Sequence, residues 1–488
     1  MEQKKYLKFK DVMAYALGLF GLQVAVGFVN SYQADFYENA MGANIAIVGV
    51  LVLIAKAVSA FFDPVIGNLI DRTESKRGKL KPFILISLIP FAILTVMVFV
   101  KVPLSGAGLY VYLFVIYLLW CIAMTLGDVP SQGMAAVLTP NPEERTNTVS
   151  IANTLKSIGM SACFVIVPVV TAIVPGGATL TGGKISATEY LWTGIVCAVV
   201  GTGLFSLIFF INKERVPYRA ERMGIKDMAH ILKGNVPLLL VVLSYFLGFA
   251  RQLAMGIQVQ AAITLLGDAN KIILLGISTA IGTVISMALT PILVKKFNEK
   301  WVFIGMHVYG FVISLITFFV GFNNLYVMLV FLFLTGLQFG AVNILPMVMV
   351  ADSVDYYEHK TGKRTEGLAY ALLSLSIKVS LAMGVGVGLI LVGAFGYNAD
   401  LGLNMEYGVR RGVYFTYTVV PGISSLLAAI PIFFYPLIGK KKEQIVSELA
   451  VRRANNTETV EEIADTATET KSPEESDTAV TSDEDNNN

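Results

Sequence analysis

Long apolar runs recur along the whole chain and are separated by short polar segments. Each run has about 20 residues or more, the length that an α-helix needs to cross the hydrocarbon core of a bilayer. A strand-built barrel is excluded because its segments would have about 10 residues of alternating polarity. The pattern predicts an all-α membrane protein with twelve transmembrane helices, near 11–36, 45–70, 83–101, 108–138, 148–174, 190–211, 235–266, 271–294, 301–322, 325–352, 367–396 and 412–438.

The longest polar interruption between spans divides them into six and six, an arrangement typical of transporters built from repeated halves. Beyond residue 453 the chain has 11 acidic residues, one lysine and no aromatic residue, so it has too little apolar surface to offset its ordering entropy. We therefore predict an N-terminal six-helix bundle (1–211), a cytoplasmic linker (212–234), a C-terminal six-helix bundle (235–439) and a disordered acidic cytoplasmic tail (440–488).

The basic residues predict the orientation. If the N-terminus is cytoplasmic, 28 of the 37 Lys and Arg residues fall on inner segments and 5 on outer loops. Short cytoplasmic loops carry such an excess of Lys and Arg in membrane proteins. Both termini are therefore expected in the cytoplasm, with the protein in the plasma or inner membrane.

Composition narrows the function. Hydrophobic residues make up 55% of the chain and charged residues 15%, against about 25% charged residues in a soluble domain. The net charge of +2 argues against a nucleic-acid partner. The three cysteines lie in apolar runs, and neither a His–Cys cluster nor a Gly-rich phosphate loop occurs, so no disulfide, zinc site, ATP-driven pump or enzyme is predicted. We expect no cofactor.

A few ionisable residues interrupt the apolar runs. Asp63, Asp128 and Lys378 lie inside predicted spans, and Ser59 is four residues before Asp63 on the same helical face. An ionised group in a span costs on the order of 3 kcal/mol unless it is paired or faces water. One interpretation is a set of structural ion pairs between helices. The other is a coupling site, because a buried carboxylate takes up a proton or recruits a cation and a nearby lysine competes for it.

The segment 63–82 carries a more specific pattern than a basic inner loop needs. It contains the pattern G-x-x-x-D-R, followed by an arginine and a glycine in sequence, and this pattern resembles a motif of the major facilitator superfamily. The fuller pattern, together with the stretch 350–367 and the lysine that follows it, is similar to the glycoside–pentoside–hexuronide:cation symporter branch. The residues of this predicted gating loop are Gly67, Asp71, Arg72, Arg77 and Gly78.

The resemblance implies sugar or glycoside:cation symport by alternating access of two six-helix bundles. It places the cation site on Asp63 and Asp128, with Lys378 close by. It also implies that Asp128 contacts the sugar and that span one supplies a polar sugar ligand, which falls on Gln23. The partners would be a small-molecule substrate and membrane lipid, and we expect a monomer.

Three positions depart from the family pattern. Melibiose permease, a member of this branch, has aspartates where this chain has Gln23 and Ser59, and an arginine where it has Asn153. With a single carboxylate left in span two, a proton fits better than Na⁺ as the coupling ion, although a Na⁺ ion at Asp63 stays open. Asn153 and Gln23 stay candidate substrate contacts.

Arg251 in span seven has two interpretations. It could be the structural partner of Asp35 in span one, or it could clamp an anionic substrate such as a uronic acid, since a guanidinium binds a carboxylate in a bidentate manner. Two other functions also stay open. They are transport of an organic acid or a lipid on the same scaffold, and a non-transporting membrane receptor.

Overall fold

The computed structural model describes residues 5–73, 75, 77–174, 184–216, 225–363, 365–449 and 451–452. Its helices are α1 (Phe9–Asn39), α2 (Ile45–Ala60), α3 (Phe62–Arg72), α4 (Lys81–Met97), α5 (Gly106–Leu138), α6 (Pro142–Ile173), α7 (Ala187–Ile211), α8 (Ile225–Gly234), α9 (Val236–Leu247), α10 (Leu253–Leu266), α11 (Ile272–Val320), α12 (Leu325–Thr361), α13 (Glu366–Ala394), α14 (Tyr407–Phe433) and α15 (439–449).

These helices account for twelve spans in the described part of the chain. Nine helices, α2 and α3 counted together, are long and apolar enough to cross a bilayer. The pair α9–α10, bent by 49°, adds one span, and the shorter apolar helix α4 adds another. Helix α11 counts as two, because Asn298 has a φ of 59° and its side chain accepts a hydrogen bond from the Trp301 backbone amide, starting a new helix. The predicted all-α membrane fold is confirmed.

Helix α1 lies at the centre of the molecule and is the most buried of the candidate spans. It packs against α6 and α7 among the first six spans and against α10 among the last six. Almost every residue from Leu19 to Tyr37 is buried, including the polar side chains of Gln23, Asn30 and Asp35. The polar centre of the protein is therefore built around α1.

The first and last six spans touch most extensively along α2 and α13. Glycines allow the two backbones to approach each other. A Cβ atom on Gly49 would lie 2.7 Å from the Gly386 carbonyl oxygen, and one on Gly393 would lie 2.7 Å from the Ala46 Cβ. Small residues serve this purpose wherever transmembrane helices pack backbone to backbone. Nearer the ends of the spans, Lys184 forms an ion pair with Asp400, so the halves also meet there.

The residues after the last span correct one prediction. The disordered tail was expected from residue 440, but 439–449 forms helix α15. Ile445 and Leu449 lie four residues apart and are buried in the core of the last six spans, while Lys442 pairs with Glu299 and Asp352. The acidic composition belongs to the chain beyond this helix, and residues 453–488 lie outside the described part of the structure.

Candidate functional site

An ion pair joins the first six spans to the last six. Asp63 lies in the first turn of α3, and its Oδ2 atom contacts the Nζ atom of Lys378 on α13. Helix α2 ends at Ala60, before Asp63, because Pro64 has no backbone N–H to donate to the preceding turn. The side chains of Asp63 and Lys378 are 22% and 23% exposed. The predicted association of these two residues is present.

A second carboxylate lies close to the first. Asp128 on α5 is buried, and its Oδ2 atom accepts a 2.7 Å hydrogen bond from the Gln132 amide. Its Oδ1 atom is 3.8 Å from the Nζ atom of Lys156 on α6. Helix α3, which carries Asp63, packs against α5, which carries Asp128. The structure therefore pairs Lys378 with Asp63, as predicted, and gives Asp128 a different lysine partner.

Each of these aspartates has one oxygen that accepts no hydrogen bond from a described residue, although Oδ1 of Asp128 lies within ion-pair distance of Lys156. Oδ1 of Asp63 and Oδ1 of Asp128 are buried and have no hydrogen-bond partner among the described residues. An ionised carboxylate accepts hydrogen bonds on both oxygens, so an unbonded, buried oxygen is unfavourable. A proton or a cation bound at this oxygen would remove that penalty. A role of this site in coupling to a proton or a cation stays a prediction.

The other predicted site residues lie on α1, α2 and α6. Ser59 donates a 2.9 Å hydrogen bond to the Lys56 carbonyl oxygen, so its hydroxyl already has a partner. Gln23 is buried on α1, and Asn153 is exposed on α6, one turn before Lys156. Lys156 was missed as a member of the site. The only available signal was that it is a lysine inside an apolar run.

Arg251 does not pair with Asp35, so that interpretation was wrong. Asp35 accepts hydrogen bonds from the Tyr190 hydroxyl and the Asn39 amide. Arg251 lies in a short 3₁₀ turn, Phe249–Gln252, where the bend between α9 and α10 directs its guanidinium over the Tyr245 ring, 4.9 Å from the centroid. Its Nε atom is buried without a hydrogen-bond partner in the described part of the chain.

The predicted gating loop has a clear structural origin at Gly78. This residue has a φ of 99°, and a Cβ atom there would lie 2.3 Å from the Glu214 carboxylate. That carboxylate accepts hydrogen bonds from the backbone amides of Lys79, Leu80 and Lys81 at the start of α4. A negative side chain is stabilised at a helix N-terminus. Only glycine allows the loop to fold around Glu214.

The remaining loop residues are less constrained. The Arg77 guanidinium lies 5.9 Å from the Phe209 ring centroid, and Arg72 is exposed. A Cβ atom on Gly67 would meet open space. The Asp71 side chain lies outside the described part of the structure. A gating role for these residues therefore stays a prediction.

The fold and the site define a class. Apolar spans surround partly buried carboxylate–lysine pairs, a combination that is typical of membrane transporters. The MFS/sugar transport protein family matches residues 14–438. The chain belongs to this family, and the predicted glycoside–pentoside–hexuronide:cation symporter branch is confirmed. It is a family of transporters, not of enzymes.

Curated relatives resemble the chain along almost its whole length. The Glucuronide carrier protein homolog of Escherichia coli (strain K12) is 27% identical over 455 residues, covering 92% of this chain and 96% of the relative. The Isoprimeverose transporter of Lactiplantibacillus pentosus is 26% identical over 465 residues, covering 92% and 93%.

Solved structures share the fold at lower identity. The nucleoside transporter NupG aligns with a TM-score of 0.60 and 14% identity, covering 88% of this chain and 100% of that one. A bacterial homolog of the human lysosomal transporter Spinster aligns with a TM-score of 0.60 and 13% identity, covering 88% and 98%. At these identities the likeness establishes the fold alone.

Proposed function

We propose that the protein is a secondary active transporter that carries a sugar or glycoside together with a cation by alternating access. The observation that supports this most directly is the Asp63–Lys378 pair. It connects α3 in the first six spans with α13 in the last six, and Asp63 keeps a buried oxygen without a partner among the described residues. A contact of this kind has to change when two bundles move against each other.

The coupling ion in this proposal is a proton. A proton added to Asp63 Oδ1 converts the carboxylate to a carboxylic acid, which weakens its attraction for the Lys378 ammonium. Two lysines, Lys378 and Lys156, lie at the two aspartates and repel a metal cation. Ser59 cannot supply the second negative charge that a Na⁺ ion would need. Protonation of Asp63 thus changes the contact between the bundles.

The family and the predicted polar ligands support the proposed substrate class. The names of two relatives specify a glucuronide and isoprimeverose, which supports a sugar or glycoside substrate for this chain. The candidate ligands are Gln23, Asp128 and Asn153. Asp128 is the central one, because it also belongs to the coupling site and so links sugar binding to ion binding.

The proposed moving units are the bundles 1–211 and 235–439, joined by the linker 212–234. The glycine contacts between α2 and α13, and the Lys184–Asp400 pair, hold one end together in this conformation. The Lys and Arg distribution favours cytoplasmic termini and assigns the joined end to the outside of the plasma or inner membrane. Substrate would then leave towards the cytoplasm, and each monomer would work alone.

Uptake into proteoliposomes tests this function. A panel of neutral and acidic glycosides would be offered under an imposed pH gradient and, separately, under a Na⁺ gradient. We expect accumulation of at least one glycoside above protein-free vesicles, driven by the pH gradient. Accumulation driven only by Na⁺ would reject the proton, and uptake of none of the glycosides would reject the sugar substrate.

A further inference from the structure

Lys56 differs from Lys156 and Lys378, the two other lysines that interrupt the apolar runs; all three are partly buried. Lys378 pairs with Asp63 and Lys156 with Asp128. Lys56 forms no ion pair with any described residue. Its Nζ atom donates a 2.7 Å hydrogen bond to the Asn30 side-chain oxygen. Its side-chain partner is therefore an uncharged amide and not a carboxylate.

Lys56 contacts the central helix α1, which also carries the candidate sugar ligand Gln23. It precedes Asp63 by seven residues, two helical turns, and so lies above Asp63 on one side of the α2–α3 span. Its partner Asn30 follows Gln23 by the same interval on α1, and both side chains are buried. The Lys56 ammonium group thus contacts Asn30, a buried polar residue of the same helix as Gln23.

One amide oxygen does not satisfy this ammonium group. A lysine ammonium has three donors, and Asn30 occupies one of them. An amide also carries no charge to offset the cost of a cation inside the membrane, which amounts to several kcal/mol. A lysine kept in such a place at this cost is explained if a bound ligand supplies the missing negative charge.

We infer that Lys56 anchors an anionic group on the transported sugar, a carboxylate or a sulfonate, with Asn30 holding the ammonium in place. This inference rests on the proposed function and specifies its substrate class. It assigns the anion to Lys56 rather than to Arg251, because the Arg251 guanidinium already lies over the Tyr245 ring, a favourable partner for a cation.

A matched pair of ligands tests the inference. Phenyl β-D-glucuronide and phenyl β-D-glucoside differ only at C6, and the 6-sulfonate analogue distinguishes a sulfonate from a carboxylate. Half-saturation of uptake and thermal stabilisation of the purified protein would be measured for each. We expect the wild type to prefer at least one acidic ligand at least tenfold over the glucoside.

The variants Lys56→Gln and Lys56→Arg separate charge from packing. Lys56→Gln is expected to lower the acidic-to-neutral preference at least tenfold, whereas Lys56→Arg keeps most of it. Lys101→Gln is the control, because Lys101 is exposed in the loop between α4 and α5. If Lys56→Gln abolishes transport, the preference is still measured by comparing the thermal stabilisation that the acidic and neutral ligands give.

Three results would overturn the inference. An unchanged preference in Lys56→Gln would remove Lys56 from the anion site. A wild type that takes up the glucoside without preferring either acidic ligand would reject the anionic substrate but leave sugar transport standing. Failure to bind or transport any of the three ligands would reject both the inference and the proposed function for this sugar class.

Discussion

Two lysines of this protein contact carboxylates in different settings. Lys378 on α13 meets Asp63 on α3, so this pair links the last six spans to the first six. Lys442 on α15 is 2.7 Å from both Glu299 and Asp352, and all three belong to the last six spans or the helix that follows them. Asp63 has an unbonded buried oxygen, whereas both carboxylates at Lys442 share one ammonium.

The difference shows how one kind of contact can serve two purposes. Burial lowers the pKa of Lys442, but its bonds to Asp352 and Glu299 outweigh this and raise the pKa above the ordinary lysine value. Lys442 is therefore charged throughout the neutral range and holds one bundle together. The Asp63–Lys378 pair lies between bundles and leaves Oδ1 of Asp63 without a hydrogen-bond partner in the described part of the chain, so under the proposed function it is the contact that forms and breaks.

Removing the charge of Lys378 should have the largest effect. Lys378→Gln leaves Asp63 without its counter-charge, and we expect the accumulation ratio of substrate to fall roughly tenfold or more, with a lower melting temperature. The double variant Asp63→Asn with Lys378→Gln has no unpaired charge and should recover the melting temperature but not accumulation. Additive effects on the melting temperature would contradict a direct pair.

A larger side chain at the glycine contact between α2 and α13 should block the movement of these two helices. A Cβ atom on Gly386 would lie 2.6 Å from the Leu53 Cβ. Gly386→Leu therefore prevents α2 and α13 from closing, and we expect transport to fall by about fivefold or more, since overpacked helix contacts are strongly disfavoured. Gly203→Leu is the control, because a Cβ atom there meets open space. Equal transport rates in the two variants would argue against the contact.

Lys442→Met should affect stability more than transport. It leaves the carboxylates of Glu299 and Asp352 facing each other, which we expect to destabilise the protein by about 1–3 kcal/mol, allowing for the partial exposure of Lys442. Lys441→Met, at an exposed position of the same helix, is the control. Melting curves and accumulation ratios would be compared. A loss of accumulation without a loss of stability would mean that α15 takes part in coupling.

The sequence predicted the parts of the molecule for which the membrane sets a strong penalty. Twelve apolar runs follow from the cost of charge in a bilayer, whereas the closeness of Lys378 to Asp63 was implied by the family resemblance. Partner choice was less accessible, because Lys156 and Lys378 are equally plausible partners of Asp128 until the helices are packed. Arg251 was misassigned because the local bend between α9 and α10 sets its direction.

Contacts between segments that are distant along the chain could not be predicted from the sequence either. The motif predicted that Gly78 is special, but only the structure shows that it accommodates Glu214, far along the chain. Helix α15 was hidden by the acidic composition of the residues that follow it. Its own signal, the spacing of Ile445 and Leu449, is too short to identify a docked helix.

Asp63→Asn gives the most direct test of the central claim, because it keeps the shape of the side chain and removes its titration. Gradient-driven accumulation and substrate exchange at equal concentrations would be measured in the same proteoliposomes. Our account predicts that accumulation against a gradient is lost while exchange persists. Undiminished uphill accumulation by this variant would contradict the assignment of Asp63 as the coupling residue.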